Sequence, residues 1–151
     1  MPRNKHPHIK NLPSQGKVPR TQVNPDDHIG SSLFRWRVNS KYVDYDHEEW
    51  GWGKLSCKNF FEMLEIRLHS FEQMSWGDLE QRKHCHPMPV EKIESDAQSR
   101  LCEVCNNQNQ VDCLYQIDIT PRCRLWGYRD RVIFYLIWHD PNHTVYKGDK
   151  R

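Results

Sequence analysis

The chain has 151 residues, a formal net charge of +2 and a hydrophobic share of 36% that is rich in Trp, Tyr and Phe. This length suits a single domain with one core, and so small a charge excess does not by itself indicate a nucleic-acid partner. The longest apolar run, "VIFYLIW" at residues 132–138, is far shorter than the roughly 20 residues that cross a bilayer as a helix, so we expect no membrane partner.

The N-terminal part of the chain differs in composition from the rest. Five of the nine prolines lie within residues 1–25, together with several Lys and Arg and almost no large apolar side chain. Such a segment cannot bury enough surface to offset the entropy of ordering it. The sequence therefore predicts a disordered basic tail over residues 1 to about 30 and a single domain over residues 31–151. The tail is either a solvated extension or an arm that attracts RNA or phosphate electrostatically.

The beginning of the chain also bears on cellular location. "MPRNKHPHIK" carries positive charge without the apolar stretch of a secretory signal, so we expect a cytoplasmic protein. In that compartment the six cysteines are expected to be buried thiols or metal ligands rather than disulfides.

The first ordered element is predicted to be a strand. In "SSLFRWRVNSKYV", apolar Phe34, Trp36 and Val38 alternate with Arg35 and Arg37. This period of two is typical of a half-buried strand, which we place at residues 33–38.

Two helices are predicted next. "SCKNFFEMLEIRLHSFEQM" is amphipathic, and Ser56 is a suitable N-cap because its hydroxyl can accept from the free amides of the first turn. "SWGDLEQR" then predicts a short second helix, since Ser75 and Asp78 have capping-box spacing, although Gly77 lowers the helical propensity. The side of the first helix that is predicted to be buried comprises Cys57, Phe60, Phe61, Leu64, Leu68 and Phe71.

The second half of the domain is predicted to be irregular at first and then β-rich. Residues 83–113 lose the helical periodicity and predict a long irregular excursion that contains Cys and His. "LYQIDIT", "CRLWGYR" and "VIFYLIW" follow at hairpin spacing and predict an antiparallel meander. Together these elements predict an α+β fold with a mainly antiparallel sheet of about four strands and one or two helices packed on one face.

The excursion contains a candidate metal site. Cys102 and Cys105 form a C-x-x-C pair, which is half of a tetrahedral zinc site, and His84 and His86 are spaced to supply the other half. A structural zinc there would indicate a nucleic-acid-binding or protein-binding module without catalysis. The alternative is a loop with reduced cysteines.

The stretch "CRLWGYRDRVIFYLIWHDPNHTVY" concentrates cations, imidazoles and a phenol near one predicted sheet edge. Arginine stabilises charge on a phosphate, and His or Tyr can move protons when the 2′-hydroxyl of RNA attacks the adjacent phosphate, so no cofactor is required. The alternative is an ordinary β-turn at "DPN" with solvated histidines. The candidate catalytic residues are Arg122, Arg124, His139, His143 and Tyr146.

Two family resemblances add to these interpretations. "MSWGDLEQR", "CHPMP" and "GYRDRVIFYLIWHDPNHTVY" resemble motifs of a family of small, largely uncharacterised bacterial proteins. The ending "IFYLIWHDPNHTVY" is also similar to that of the RelE/ParE-type toxin superfamily, whose members place a helical pair before an antiparallel sheet. The second resemblance implies a metal-independent endoribonuclease toxin that acts on mRNA, often at the ribosome, and is held inactive by an antitoxin protein.

Three functional hypotheses therefore stand side by side. The first is a ribonuclease toxin of a toxin-antitoxin pair, for which the five candidate catalytic residues are the ones to test. The second is a zinc-stabilised module that binds nucleic acid or protein. The third is the non-catalytic partner of a toxin pair.

Overall fold

The computed structural model describes residues 27–106 and 111–148. Within them the chain forms a five-stranded sheet with helices on both faces. The strands are β1 (Arg35–Arg37), β2 (Cys85–Pro89), β3 (Cys113–Asp118), β4 (Arg124–Asp130) and β5 (Ile133–Asp140). The helices are α1 (Asp27–Ser31), α2 (Cys57–Asn59), a π-helical segment (Phe60–Glu65), α3 (Ile66–Phe71), α4 (Trp76–Gln81) and α5 (Ser95–Val104).

The predicted basic tail lies outside the described residues except for its end, where α1 begins at Asp27. This short helix is ordered by packing, because Ile29 contacts the main apolar cluster. It also approaches α4 closely, since a Cβ atom added to Gly77 would lie 2.9 Å from the carbonyl oxygen of Gly30. The glycine that lowers the helical propensity of α4 is therefore the residue that makes room for α1.

The strands are arranged in the order β1-β5-β4-β3-β2. The predicted meander is confirmed, because β3 pairs antiparallel with β4 and β4 pairs antiparallel with β5. At the edge, however, β1 runs parallel to β5, with Trp36 beside Phe134. The α+β class is thus confirmed, and the sheet, which is predicted to be mainly antiparallel, is mixed, with one parallel pair at its edge. Local patterns predict hairpins, whereas a parallel pair forms between strands that lie far apart in the chain.

The predicted irregular excursion is wrong over much of its length. It contains β2, which pairs antiparallel with β3, so the sheet has five strands rather than about four. Pro87 and Pro89 argue against a strand in the sequence, but β2 is an edge strand, where a residue without an N–H is tolerated. The excursion also contains α5, whose Ala97 and Leu101 are buried four residues apart among polar neighbours.

Helices cover both faces of the sheet, whereas the sequence predicts them on one face only. On the first face, the stretch from α2 to α3 and the following α4 pack Leu64, Leu68 and Trp76 into one apolar cluster with the sheet. On the second face, α5 packs Ala97 and Leu101 into a separate cluster. No helix among the described residues is long and apolar enough to cross a membrane.

A β-bulge in β5 ties the loop between β1 and α2 to the sheet. The register between β4 and β5 shifts, which makes Ile137 an extra residue in β5. Its carbonyl oxygen accepts the backbone N–H of Asp44 at 3.1 Å and the indole N–H of Trp52 at 3.0 Å. The bulge thereby fixes the loop between β1 and α2 on the sheet.

A buried ion pair fixes α5 on the second face. Arg100 donates from Nε and Nη2 to the two carboxylate oxygens of Asp44 at 2.8 and 2.7 Å. The indole of Trp138 donates to the same carboxylate at 2.9 Å. Burial alone would raise the pKa of Asp44, but the hydrogen bonds from Arg100 and Trp138 outweigh it and lower the pKa to about 2. Asp44 is therefore charged in the folded chain, and its carboxylate holds α5 on the second face through Arg100.

Candidate functional site

The helical stretch from α2 to α3 presents large apolar side chains to the surface. Phe61 and Ile66 are each 61% exposed and Met63 is 45% exposed. Met63 and Ile66 are three residues apart and line one groove, and we call these two residues the apolar face; Phe61, two residues before Met63, points to another side of the helix. Side chains of this kind are normally buried, and several exposed ones within six consecutive residues are typical of a protein interaction surface.

The π-helical segment Phe60–Glu65 is the local cause of this exposure. Ser56 caps the start of the stretch as predicted, by accepting from the backbone N–H of Asn59 at 3.1 Å. Beyond it, the i→i+5 geometry changes the angular position of each side chain relative to a regular α-helix. Leu64 is buried as predicted, but Phe61, which the sequence places on the buried face, points to solvent. Segments of this kind are frequent at functional sites.

The apolar face forms part of the wall of a groove of about 310 Å³. Within it, the guanidinium of Arg67 lies 4.7 Å from the ring centroid of Phe71, which orients the side chain along the helix. The Nε of Arg67 is buried and has no hydrogen-bond partner in the part of the chain that the structure describes. The groove therefore offers apolar walls and the positive charge of Arg67, which suits an acidic group such as a carboxylate. Its lining residues are Met63, Ile66, Arg67, Ser70, Ile119 and Thr120.

The Thr120 end of this groove is positively charged. Arg67 and Thr120 both line the groove, and the backbone N–H of the exposed Arg122 donates to Oγ1 of Thr120 at 3.3 Å. Arg124 also donates to the carbonyl oxygen of Thr120, but Asp118 balances its charge. Arg67, which lines the groove, is thus the cation that an acidic partner group would meet.

The two arginines of the predicted catalytic set lie at and just before the start of β4. Arg122 is exposed in the β3–β4 turn. Arg124 is engaged, since its Nε lies 2.8 Å from Oδ1 of Asp118 and its Nη1 donates to the carbonyl oxygens of Thr120 and Cys123. These contacts give Arg124 the structural role of closing the β3–β4 turn.

His139 is buried on the first face of the sheet, where its ring centroid lies 5.8 Å from that of Trp52. Burial lowers its pKa, and the nearby Asp140 acts in the opposite direction. In the register of the sheet, Arg124 pairs with Asp140 and Leu125 pairs with His139. Because successive residues of a strand point to opposite faces, the structure does not bring Arg124 and His139 together.

The "DPN" turn is stabilised by a buried carboxylate. Asp140 is fully buried and accepts the backbone N–H groups of Thr144 and Val145, each at 2.9 Å. His143 lies in this turn with a φ of 57°, a conformation that histidine adopts more readily than most residues. Tyr146 packs at the margin of the second-face cluster. These contacts describe the structural turn that the sequence leaves open as an alternative, but its histidines are not solvated as that alternative expects, because His139 is buried and Nε2 of His143 is a buried atom.

The four predicted zinc ligands are not brought together. The ring of His84 packs on the first face, whereas Nε2 of His86 lies 4.0 Å from Oδ2 of Asp118 on the second face. Cys102 is exposed and Cys105 is buried in the last turn of α5. Over residues 27–106 and 111–148, no group of three or more His, Cys, Asp or Glu side chains is placed to share a metal ion.

A polar cluster on the second face was not predicted as a unit. His86 pairs with Gln116 across β2 and β3, and the amide nitrogen of Gln116 donates to Oδ1 of Asp118 at 3.1 Å. The alternation of "QID" indicates that Gln116 and Asp118 share one face of a strand. The position of His86 could not be predicted, because β2 itself was not.

Comparison with known proteins gives one family. A family model described as "Uncharacterised protein UU032" matches residues 38–151, which is most of the chain. Neither the curated proteins nor the solved structures contain a significant match.

Proposed function

The chain belongs to the family of uncharacterised protein UU032, whose description states no activity, and we propose from its geometry that it is a protein-binding domain. The observation that carries the proposal is the apolar face, where Met63 and Ile66 are exposed on one side of a helical stretch and line the same groove. Burying such side chains against a partner is favourable by about 1.5–3 kcal/mol for each one that becomes fully buried.

The chemistry of the groove indicates what the partner presents. Its apolar walls fit the apolar side of an amphipathic helix, in the manner of helix-in-groove recognition. The charge of Arg67, which lines the groove, fits a carboxylate on the same helix. We propose a partner helix with apolar residues spaced three or four apart and an acidic residue at one end. An antitoxin-like protein, which the toxin resemblance implies, is a partner of this class.

A selection experiment tests this proposal, because a peptide library samples many partner sequences at once. A displayed library of amphipathic peptides is selected on the full chain, and the recovered sequences are compared. The recovered peptides are expected to carry apolar residues at helical spacing and an acidic residue. They should bind the Ile66→Asp variant much more weakly than the wild type, and the Val38→Asp variant as well as the wild type. Val38 is the matched control because it is 52% exposed and lies outside the apolar face. Peptides that bind both variants equally, or a library that yields no binder, would contradict the proposal.

A second proposal is the metal-independent endoribonuclease that the toxin resemblance implies. The element order supports it, because β1 is followed by the helical stretch and α4, and the domain closes with an antiparallel meander. Arg124 and His139 lie on opposite faces of the sheet and are not brought together at one site. The ribonuclease proposal therefore depends on Arg122, His143 and Tyr146. Expression of the chain should then arrest growth and degrade RNA, and His143→Ala should abolish both effects. Expression that neither slows growth nor degrades RNA would contradict the ribonuclease proposal, and only the protein-binding proposal would remain.

A further inference from the structure

Three side chains with metal-binding atoms lie together on the second face, apart from the apolar face. His86 and Gln116 occupy directly opposite positions in β2 and β3, where neighbouring Cβ atoms are about 5 Å apart. Asp118 shares their face because alternate residues of a strand point to the same side. Nε2 of His86 and Oδ2 of Asp118 are separated by 4.0 Å, which is too long for a direct hydrogen bond.

The carboxylate of Asp118 is held from one side only. Its Oδ1 accepts from the amide nitrogen of Gln116 at 3.1 Å and lies 2.8 Å from Nε of Arg124. Arg124 is itself fixed by the carbonyl oxygens of Thr120 and Cys123. Both contacts fall on Oδ1, and Oδ2 is the oxygen nearest His86. The hydrogen bond from Gln116 and the ion pair with Arg124 together orient a carboxylate that can bind a metal through its other oxygen.

Gln116 supplies the second observation. Its amide nitrogen must face Asp118, because the flipped amide would place two acceptors against each other. Its Oε1 is buried and without a hydrogen-bond partner among the described residues, and the residue as a whole is only 6% exposed. A buried carbonyl oxygen in this condition requires a donor or a cation.

We propose that His86, Gln116 and Asp118 bind one divalent transition-metal ion through Nε2, Oε1 and Oδ2. An imidazole with two oxygen ligands suits zinc and nickel, whereas magnesium and calcium need a set of oxygen ligands. Metal-ligand distances of about 2.0–2.2 Å place neighbouring ligand atoms roughly 3–3.5 Å apart, so His86 and Asp118 need to approach by less than about 1 Å. The side chain of His86 is partly exposed and can make this movement.

The charge of Arg124 sets the selectivity of the site. Its guanidinium neutralises much of the charge of Asp118, so ions that depend on carboxylates alone bind weakly. The imidazole of His86 then decides which ions bind, and the expected order follows the intrinsic affinity of nitrogen ligands. We expect zinc and nickel to bind at least 10-fold more tightly than magnesium. The site shares His86 with the zinc set that the sequence predicts, but none of its other ligands.

Titration of the full chain with zinc chloride, followed calorimetrically, tests the site. One zinc per chain is expected, and His86→Ala and Asp118→Asn should each weaken binding at least 10-fold. Two matched controls should bind like the wild type: His84→Ala, which removes the histidine on the other face, and the double variant Cys102→Ser with Cys105→Ser. Thermal melting without metal checks that each variant is folded, and the wild type should melt at a higher temperature when zinc is present.

The outcomes separate the alternatives. Loss of zinc binding in the cysteine double variant, with binding retained in His86→Ala, would overturn the proposal in favour of a thiolate site. Equal weakening by His84→Ala and His86→Ala would indicate nonspecific binding by surface histidines and would also overturn it. Gln116→Leu provides a further check, because it should weaken zinc binding while leaving the metal-free protein folded. The absence of any zinc binding at millimolar concentration would refute the site directly.

Discussion

The helices on the two faces of the sheet bury similar side chains but present different outer surfaces. Leu68 of α3 and Leu101 of α5 are both buried against the sheet. The outer surface of α5 is polar, and Arg100 fixes it by an ion pair to the buried Asp44. On the other face, the stretch from α2 to α3 leaves Ile66 and its neighbours exposed. Covering the sheet therefore does not require an apolar outer surface, and the exposed groups of the first face are available to a partner.

The largest effect on stability is expected on the second face. Arg100→Met leaves the carboxylate of Asp44 buried without its cation. Removing one partner of a buried pair costs about 3–5 kcal/mol in the free energy of unfolding, and because the side chain of Arg100 is 27% exposed we expect a loss near the lower end of that range. Arg122→Met is the matched control, because Arg122 is exposed in a turn and its loss should change stability by less than about 0.5 kcal/mol. Urea denaturation measures both variants. Similar stability of the two variants would mean that the ion pair does not fix α5.

The same ion pair predicts an acid-sensitive second face. The pKa of Asp44 is about 2 in the folded chain, against 3.8 without the fold, so ionisation of Asp44 contributes about 2–3 kcal/mol of stability at pH 7. Because the folded-state pKa is the lower one, this contribution is present above about pH 4 and is lost as the pH falls towards 2. Denaturation at pH 7, 4 and 3 should show the loss in the wild type and a smaller loss in Arg100→Met. Parallel pH profiles for the two proteins would contradict this account.

Helix capping also differs between the two faces. Ser75 forms a complete capping box with Asp78 at the start of α4, whereas Glu94 makes no side-chain cap at the start of α5. Ser75→Ala should therefore cost about 1 kcal/mol. The exposed Ser95 has no capping role, and Ser95→Ala should change stability by less than about 0.5 kcal/mol. Thermal melting compares the two variants, and equal costs would show that the capping box contributes little.

The smallest effect on stability is expected on the apolar face. Ile66→Asp changes a side chain that is already mostly in water, so the free energy of unfolding should change by less than about 0.5 kcal/mol. Leu68→Ala, two residues along the same helix, removes a fully buried side chain and should cost about 2–5 kcal/mol. A large loss of stability in Ile66→Asp, seen in urea denaturation, would mean that Ile66 belongs to the core and not to a binding surface.

Local signals predicted part of this fold and part of the site. The meander, the caps at Ser56 and Ser75 and the buried Leu64 follow from alternation, side-chain chemistry and helical spacing. The parallel pairing of β1 depends on residues far apart in the chain, and β2 was hidden by prolines that an edge strand tolerates. The exposure of Phe61 follows from a π-helical segment, which no simple sequence period indicates.

The predicted catalytic and metal pairs are separated for two different reasons. Arg124 pairs with Asp140 and not with His139, so alternation along β5 places His139 on the opposite face of the sheet from Arg124. His84 precedes β2, so the alternation that would place it on the same face as His86 does not extend to it, and its ring packs on Phe71 instead. Face assignment requires the strand boundaries, and these were least certain where β2 was missed.

The affinity of one selected peptide for two variants tests the central claim most directly. Isothermal titration with the wild type, Ile66→Asp and Val38→Asp compares an exposed apolar residue on the apolar face with one outside it. We predict that Ile66→Asp weakens binding at least 30-fold, which corresponds to a loss of about 2 kcal/mol at an interface hot spot, while Val38→Asp binds like the wild type. Equal affinities for all three proteins would contradict the assignment of the apolar face as the partner-binding surface.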